Sequence, residues 1–257
     1  MKLSIVIPAH NEEHRLPPML EAYAAYFQEK YGKEAELIVV PNFCDDRTAE
    51  VTCGFMDRFP RLRVLDDPGR VGKGGAVVLG AQAADGDLIG FVDADGATSP
   101  VAFDELVEKI SLDGCIIASR WMKGSVMSPK QPVSRRIASR CFNFLVRVFF
   151  GLRLTDTQCG AKLFRREVIL PVIRNLGVTD WAFDVDMLFQ TKRLGASIRE
   201  IPTVWNDIAG SKIDVGRASV QMLVAMVRLR MFYSSLRFMI PGLAKVVERI
   251  VPHKRNR

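Results

Sequence analysis

The sequence predicts an α/β fold: a mostly parallel sheet flanked by helices, with a helical C-terminal tail. Three observations predict it. Hydrophobic residues make up 48% of 257, enough to bury a large core. Short β-branched runs alternate with helical patterns at close spacing through the first half of the chain. His, Asn, Glu and Asp follow those runs, and ligands sit beyond the carboxyl ends of the strands in such sheets.

Leu3 to Pro8 reads as a buried strand, and Leu16 to Tyr31 as a helix. Glu36 to Val40 is a second strand, Thr48 to Phe59 a helix, and Arg63 to Leu65 a third strand. Gly74 to Ala84 is a helix of small residues. Asp87 to Val92 is a fourth strand, ending at Asp93-Ala94-Asp95. Pro100 to Ile110 is helical and Gly114 to Ser119 extended. Right-handed crossovers then make the sheet parallel and cover both faces. Ser134 to Phe150 is an amphipathic helix: Ile137, Cys141, Phe144, Leu145 and Val148 form its apolar stripe, with Arg136, Arg140, Asn143 and Arg147 opposite. Asp180 is placed to cap a helix running to Arg193, and Arg217 to Met239 is another helix.

The net charge of +7 favours an anionic partner. It is concentrated: Arg120 to Arg166 holds eleven Lys/Arg against one acid, Asp156, a local +10. The remainder is slightly acidic. That acidity and the paired carboxylates argue against a nucleic-acid partner. Five cysteines without a CxxC pair suggest neither a disulfide framework nor a zinc site. With a strand starting at once and no leader read before it, a reducing cytosol is the expected compartment. No apolar run reaches the ~18 residues of a spanning helix. Leu243, Val246, Val247, Ile250 and Val251 line one side of a short C-terminal helix, and His253 to Arg257 ends in positive charge. That pattern reads as peripheral contact with a membrane surface, or as a helix packed on the domain.

Asp93-Ala94-Asp95 offers two carboxylates past a buried strand. Oxygen donors suit Mg²⁺ or Mn²⁺, and a diphosphate would complete the shell. A solvated turn is the other reading. Arg70-Val71-Gly72-Lys73-Gly74-Gly75-Ala76 is a glycine-rich helix start with a lysine, fit either to meet an anion or to pack closely on the sheet. Arg120, Arg135, Arg136, Arg140 and Arg147 are guanidiniums suited to phosphate. Asp184 and Asp186 stand in apolar company, so each is paired or functional. Cys159 reads as packing.

These segments resemble family 2 glycosyltransferases, which have the GT-A (Rossmann-like) fold. Ile5 to Glu13 is similar to their opening strand and loop, and Arg70 to Ala76 to their central loop. Asp93 to Thr98 resembles the metal motif of the dolichyl-phosphate glucosyltransferases. Ser119-Arg120, Asp156 to Phe164, Trp181 to Asp186 and Trp205 to Lys212 extend the likeness. The resemblance implies a nucleotide-sugar donor, UDP-hexose favoured, and a polyprenyl or dolichyl phosphate acceptor at the cytoplasmic face of a membrane. It places Pro8, Asn11 and Glu12 at the nucleotide, with Asp93 and Asp95 on Mg²⁺ or Mn²⁺. Arg120, Arg135 and Ser139 would meet the acceptor phosphate, and Lys212 a phosphate when its loop closes. Lys73 and Gln158 would belong to the substrate site. Asp184 falls near the family's acidic base. Asn42 stands where an Asp usually reads the base, which leaves guanine, and with it GDP-mannose, open. A polysaccharide or protein acceptor is the runner-up. The expected division is a catalytic domain over 1–215 and a helical, membrane-proximal tail over 216–257. A phosphate monoester is mostly dianionic near neutral pH, so it needs no general base. Asp184 is therefore read as a positioner first and a base second.

Overall fold

The computed structural model describes residues 2–66, 69, 71–129, 132–177, 182–206 and 215–234, with backbone alone for 215–220. Arg70, Asp180, Trp181, Lys212 and the helix expected over 243–251 with its basic end lie outside the described residues.

In chain order the elements are β1 (Leu3–Ala9), α1 (Leu16–Tyr31), β2 (Ala35–Pro41), α2 (Thr48–Cys53), β3 (Leu62–Val64), α3 (Gly72–Ala83) and β4 (Leu88–Phe91). Then come α4 (Pro100–Lys109), β5 (Cys115–Ser119), β6 (Val126–Ser128), α5 (Val133–Phe150), β7 (Lys162–Arg165) and α6 (Arg166–Arg174). The last are α7 (Phe183–Arg193), β8 (Ile198–Pro202), β9 (Val204–Asn206) and α8 (Val215–Phe232).

The main sheet has the order β3-β2-β1-β4-β7-β5-β8, and β6 pairs with β9 beside it. Every pairing in the main sheet is parallel except those of β7, which runs antiparallel to both β4 and β5. β1 and β2 are buried along their whole length, which is why they read as mainly apolar runs, interrupted only by Ser4 and Glu36. Their side chains alternate between faces: Ile5 and Ile7 join one core cluster, Val6 the other. Pro8 lies past the last β1–β4 pair, Val6↔Phe91, where its missing N–H removes nothing from that ladder.

On the first face α1 brings Tyr23 and Phe27 against Phe103 of α4. Ser99 starts α4 by accepting from Ala102 N at 3.2 Å, with Pro100 as the first helical residue. The second face is covered by α3, α5, α6, α7 and α8. Here α3 lies so close to β1 that a Cβ on Gly80 would fall 2.3 Å from Val6 Cγ1. Gly80 thus serves the packing of the helix on the sheet.

Three expectations change. α2 stops at Cys53 and gives way to turns before Phe59. β7 and β8, which the alternation of runs did not reveal, add a strand inside the sheet and one at its edge. α5 is amphipathic, but Ile137, Cys141, Phe144 and Val148 face outward. Phe142, Val146 and Phe150 are the residues it buries. α8 packs on α5 and places Met226 and Leu229 in the second core cluster, so this stretch of the 216–257 segment is part of the core. Among the described residues, no helix is long and apolar enough to cross a membrane.

Candidate active site

The carboxyl ends of β1, β2 and β4 release the chain on one side of the sheet, and the sequence-predicted residues gather there. Asn11 adopts φ +55°, a left-handed conformation that asparagine tolerates, and its Oδ1 accepts from Asp45 N at 2.8 Å. Glu12 is held by Arg15, whose Nε donates to Oε2 at 2.6 Å, and by Thr48, whose Oγ1 accepts from Glu12 N at 2.7 Å. Asn42 is buried and donates Nδ2 to Gly69 O at 2.5 Å, tying the end of β2 to the loop before α3.

Past β4, Asp93 and Asp95 have different neighbours. Asp93 Oδ1 lies 2.6 Å from Lys73 Nζ. Lys73 also lies 3.9 Å from Asp184 Oδ2, and Asp184 Oδ1 accepts from Lys162 Nζ at 2.6 Å. Lys162 is fully buried in β7 and donates again to Cys159 O at 2.6 Å. The result is a row of alternating charge: Lys162, Asp184, Lys73, Asp93. Burial alone would raise the Asp184 pKa, but Lys162 and then Lys73 outweigh it and hold the carboxyl below its ordinary value. Burial alone would lower the Lys73 pKa, and Asp93 and Asp184 raise it instead. Asp95 accepts from Ala97 N at 3.0 Å and lines a cleft of about 460 Å³ with Arg15, Tyr23, Thr98 and Ser99. Burial, then the nearby Asp93, pushes its carboxyl up.

Arg120 leaves the end of β5 and grips buried Asp156 through Nε at 2.7 Å and Nη2 at 2.9 Å. Its guanidinium lies 5.1 Å from the Trp205 ring. Burial opposes its charge, but Asp156 keeps it protonated, and Gly160, four residues beyond Asp156, lies against Asp93. The aspartates and this arginine therefore share one side of the molecule. The one acid of the basic segment is committed to Arg120, so that arginine arrives already compensated. Next to it, Trp121 Nε1 donates to Ser139 Oγ at 3.2 Å, one turn along α5 from Arg135. Gln158 turns toward α8, with Nε2 3.6 Å from Met222 Sδ. Asp186 is buried and structural: it accepts from Tyr233 Oη at 2.7 Å and from Gly177 N at 2.7 Å. Cys159 is buried, and burial, followed by Asp156, pushes its thiol up to about 12, which makes it inert.

Asp93 and Asp95 supply oxygen donors of the kind a hard divalent cation takes. Among the described residues no group of three or more His, Cys, Asp or Glu is assembled to hold a metal. Two carboxylates would leave most of such a cation's shell to other ligands.

A sequence profile described as Glycosyl transferase family 2 matches residues 4–170, from β1 into α6. This chain belongs to glycosyl transferase family 2. The transferase is 32% identical over 241 residues to a dolichyl-phosphate beta-glucosyltransferase of Trichomonas vaginalis, covering 90% of this chain and 71% of the relative. It is 34% identical over 243 residues to the dolichyl-phosphate beta-glucosyltransferase of Dictyostelium discoideum, covering 90% and 74%. The solved structure of glucosyl-3-phosphoglycerate synthase from Mycobacterium tuberculosis in complex with UDP matches it with a TM-score of 0.69 at 19% identity, over 91% of this chain and 82% of that one. The same enzyme with Mn²⁺, UDP and glucosyl-3-phosphoglycerate gives a TM-score of 0.68 at 19% identity, over 89% and 79%. At that identity the structures speak for the fold, the mixed α/β sheet of a GT-A transferase.

Four residues of the transferase escaped the sequence reading as parts of the site: Lys162, Gly160, Asp156 and Trp121. Asp156 carried a signal, as the one acid among eleven cations. Lys162 and Gly160 carried none outside the motif around them, since their significance lies in contacts to Asp184 and Asp93.

Proposed function

We propose that this transferase moves glucose from UDP-glucose to a polyprenyl or dolichyl phosphate, inverting the anomeric carbon, at the cytoplasmic face of a membrane. The observation that carries the reading is the row Lys162–Asp184–Lys73–Asp93 beside Arg120: fixed positive charge interleaved with carboxylates at a strand-end crevice. Two anions, a nucleotide diphosphate and a phosphate monoester, require such a place to meet. The names of the curated relatives support glucose and dolichyl phosphate.

In this reading Pro8, Asn11, Glu12 and Asn42 form the nucleotide end of the crevice. Asp93 and Asp95 hold Mg²⁺ or Mn²⁺, which would neutralise charge on the departing diphosphate. Lys73, released from Asp93 as the donor arrives, turns to its phosphates, and Lys212 joins them. Arg135 and Ser139, with the free edge of Arg120 and with Gln158 nearby, orient the acceptor phosphate. One of its oxygens attacks the anomeric carbon as the bond to UDP breaks. No proton has to be removed, because the acceptor is already dianionic. Asp184, kept ionised by its two lysines, holds Lys73 in register.

The test is transfer by the purified chain to a short-chain, water-soluble prenyl phosphate, with UDP-glucose or GDP-mannose and with or without Mn²⁺. Metal-dependent formation of prenyl-phosphate glucose is the expected result. Product from GDP-mannose alone replaces the sugar and the base, and no product from either removes the acceptor.

A further inference from the structure

The transfer reaction makes no use of the outer face of α5. Val133, Ile137, Phe144 and Val148 are 66%, 58%, 63% and 61% exposed, and Cys141 between them is exposed too. Their spacing sets them in one line along an 18-residue helix. Single exposed hydrophobics are ordinary, but an aligned row marks a contact surface. Arg136, Arg140 and Arg147 run beside the row, each three positions after one of its members, and the helix contains no Asp or Glu. The opposite face is committed, with Phe142, Val146 and Phe150 in the core and Asn143 Oδ1 accepting from Thr157 N at 3.0 Å. The helix cannot roll to hide its row without giving up that packing.

Charge selects the occupant. A second copy joined through the same face about a two-fold axis would oppose two arginine-flanked, acid-free surfaces. A bilayer containing anionic lipid satisfies both features at once: the apolar row enters the boundary of headgroups and acyl chains, and the guanidiniums remain with the lipid phosphates. We propose that the outer face of α5 is the surface by which this protein docks on an anionic bilayer. The inference rests on the polyprenyl-phosphate reading for its purpose: Arg135 and Ser139 stand on the same helix, so docking would bring them to the membrane that holds the acceptor.

The experiment is flotation of the full chain with phosphatidylcholine vesicles, with and without phosphatidylglycerol. The comparison protein carries Ile137→Ser, Phe144→Ser and Val148→Ser together, and a second carries Arg147→Gln. The original chain should float with the anionic vesicles, and the triple variant should lose about tenfold or more of its partitioning. Arg147→Gln should weaken binding to anionic vesicles only. The triple variant should keep its melting temperature and its transfer to a soluble prenyl phosphate. Equal flotation of original and triple variant overturns the proposal. So does a change of oligomeric state, which assigns the row to a second copy. A fall in melting temperature with flotation unchanged also overturns it, because the chain itself then covers the row. Loss of transfer in every protein with flotation as expected strikes the functional reading alone.

Discussion

A Cβ at position 160 would fall 2.0 Å from Asp93 Oδ2 and 2.4 Å from its Cγ. Gly160 therefore sets where Asp93 can stand. Gly160→Ala should leave the fold intact by circular dichroism and lower kcat by about 10²-fold, the scale of an ångström's misplacement in a site. A variant with unchanged kcat would mean that Asp93 need not hold this position. Asp184 provides the second test at this scale. Asp184→Asn should retain more transfer than Asp93→Ala or Arg135→Ala, compared well below the melting temperature, because Lys162 then loses its anion. An acid-side inflection in kcat/KM near pH ~6 should persist in Asp184→Asn, since it belongs to the free acceptor phosphate. Its disappearance, or an equal loss of rate in all three variants, would make Asp184 the base. At the level of residues the sequence offered chemical types but not partners. Asp93, Asp95, Asp184 and Lys73 could be picked out, yet nothing in the order of residues says that Lys73 rests on Asp93 or that Lys162 is the second cation on Asp184.

Among the elements, the opposite, N-terminal end of the sheet is fastened by one buried carboxylate. Glu36 accepts from Ser4 Oγ at 2.6 Å, Asp85 N at 2.8 Å and Arg63 Nη1 at 3.1 Å, joining β1, β2, β3 and the turn before β4. Burial alone would raise its pKa, but these partners lower it. A carboxyl with a folded value below its unfolded one contributes stability above the ordinary carboxylate range, and that contribution disappears as pH falls through the folded value. Glu36→Gln should cost about 1–3 kcal/mol at neutral pH by denaturant titration, and the gap should close in acid. A gap independent of pH would assign the loss to packing. Gly80→Leu should also destabilise, because α3 has no room to withdraw from Val6. The elements that were legible in advance, β1, β2 and β4, are buried on both faces and therefore mostly apolar, Ser4 and Glu36 being the exceptions. β7 was not, since it is four residues long and begins and ends in cations, Lys162 and Arg165. β8 pairs with β5 on one side only and carries Arg199 and Glu200. α5 was read as a helix from its period, but period does not say which of two apolar lines meets the core. The shorter line of Phe142, Val146 and Phe150 does.

Taken whole, the molecule has its candidate donor groups past the carboxyl ends of β1, β2 and β4, strands central to the fold, so a bound donor should stabilise all of it. A UDP-sugar with Mn²⁺ at a hundredfold excess over Kd should raise Tm by roughly 5–10 °C. GDP-mannose should raise it less, and the reverse order would move base recognition at Asn42 to guanine. The clustering of positive charge was legible at this scale, and so was the sheet. What composition did not tell is that Asp156 neutralises Arg120 from beneath. The small β6–β9 pair adds one more consequence. Thr98, three residues beyond Asp95, bridges to Trp205 of β9, whose ring stands over Arg120 and whose buried indole N–H has no hydrogen-bond partner among the described residues. Trp205 thereby joins the turn that follows Asp95, through its backbone, to Arg120, through its ring. With Trp121 and Trp181 replaced by Phe, the emission of Trp205 should shift when UDP-glucose or a soluble prenyl phosphate is added, since either would change the polarity around that one ring; a spectrum unmoved by both would place the ligands elsewhere.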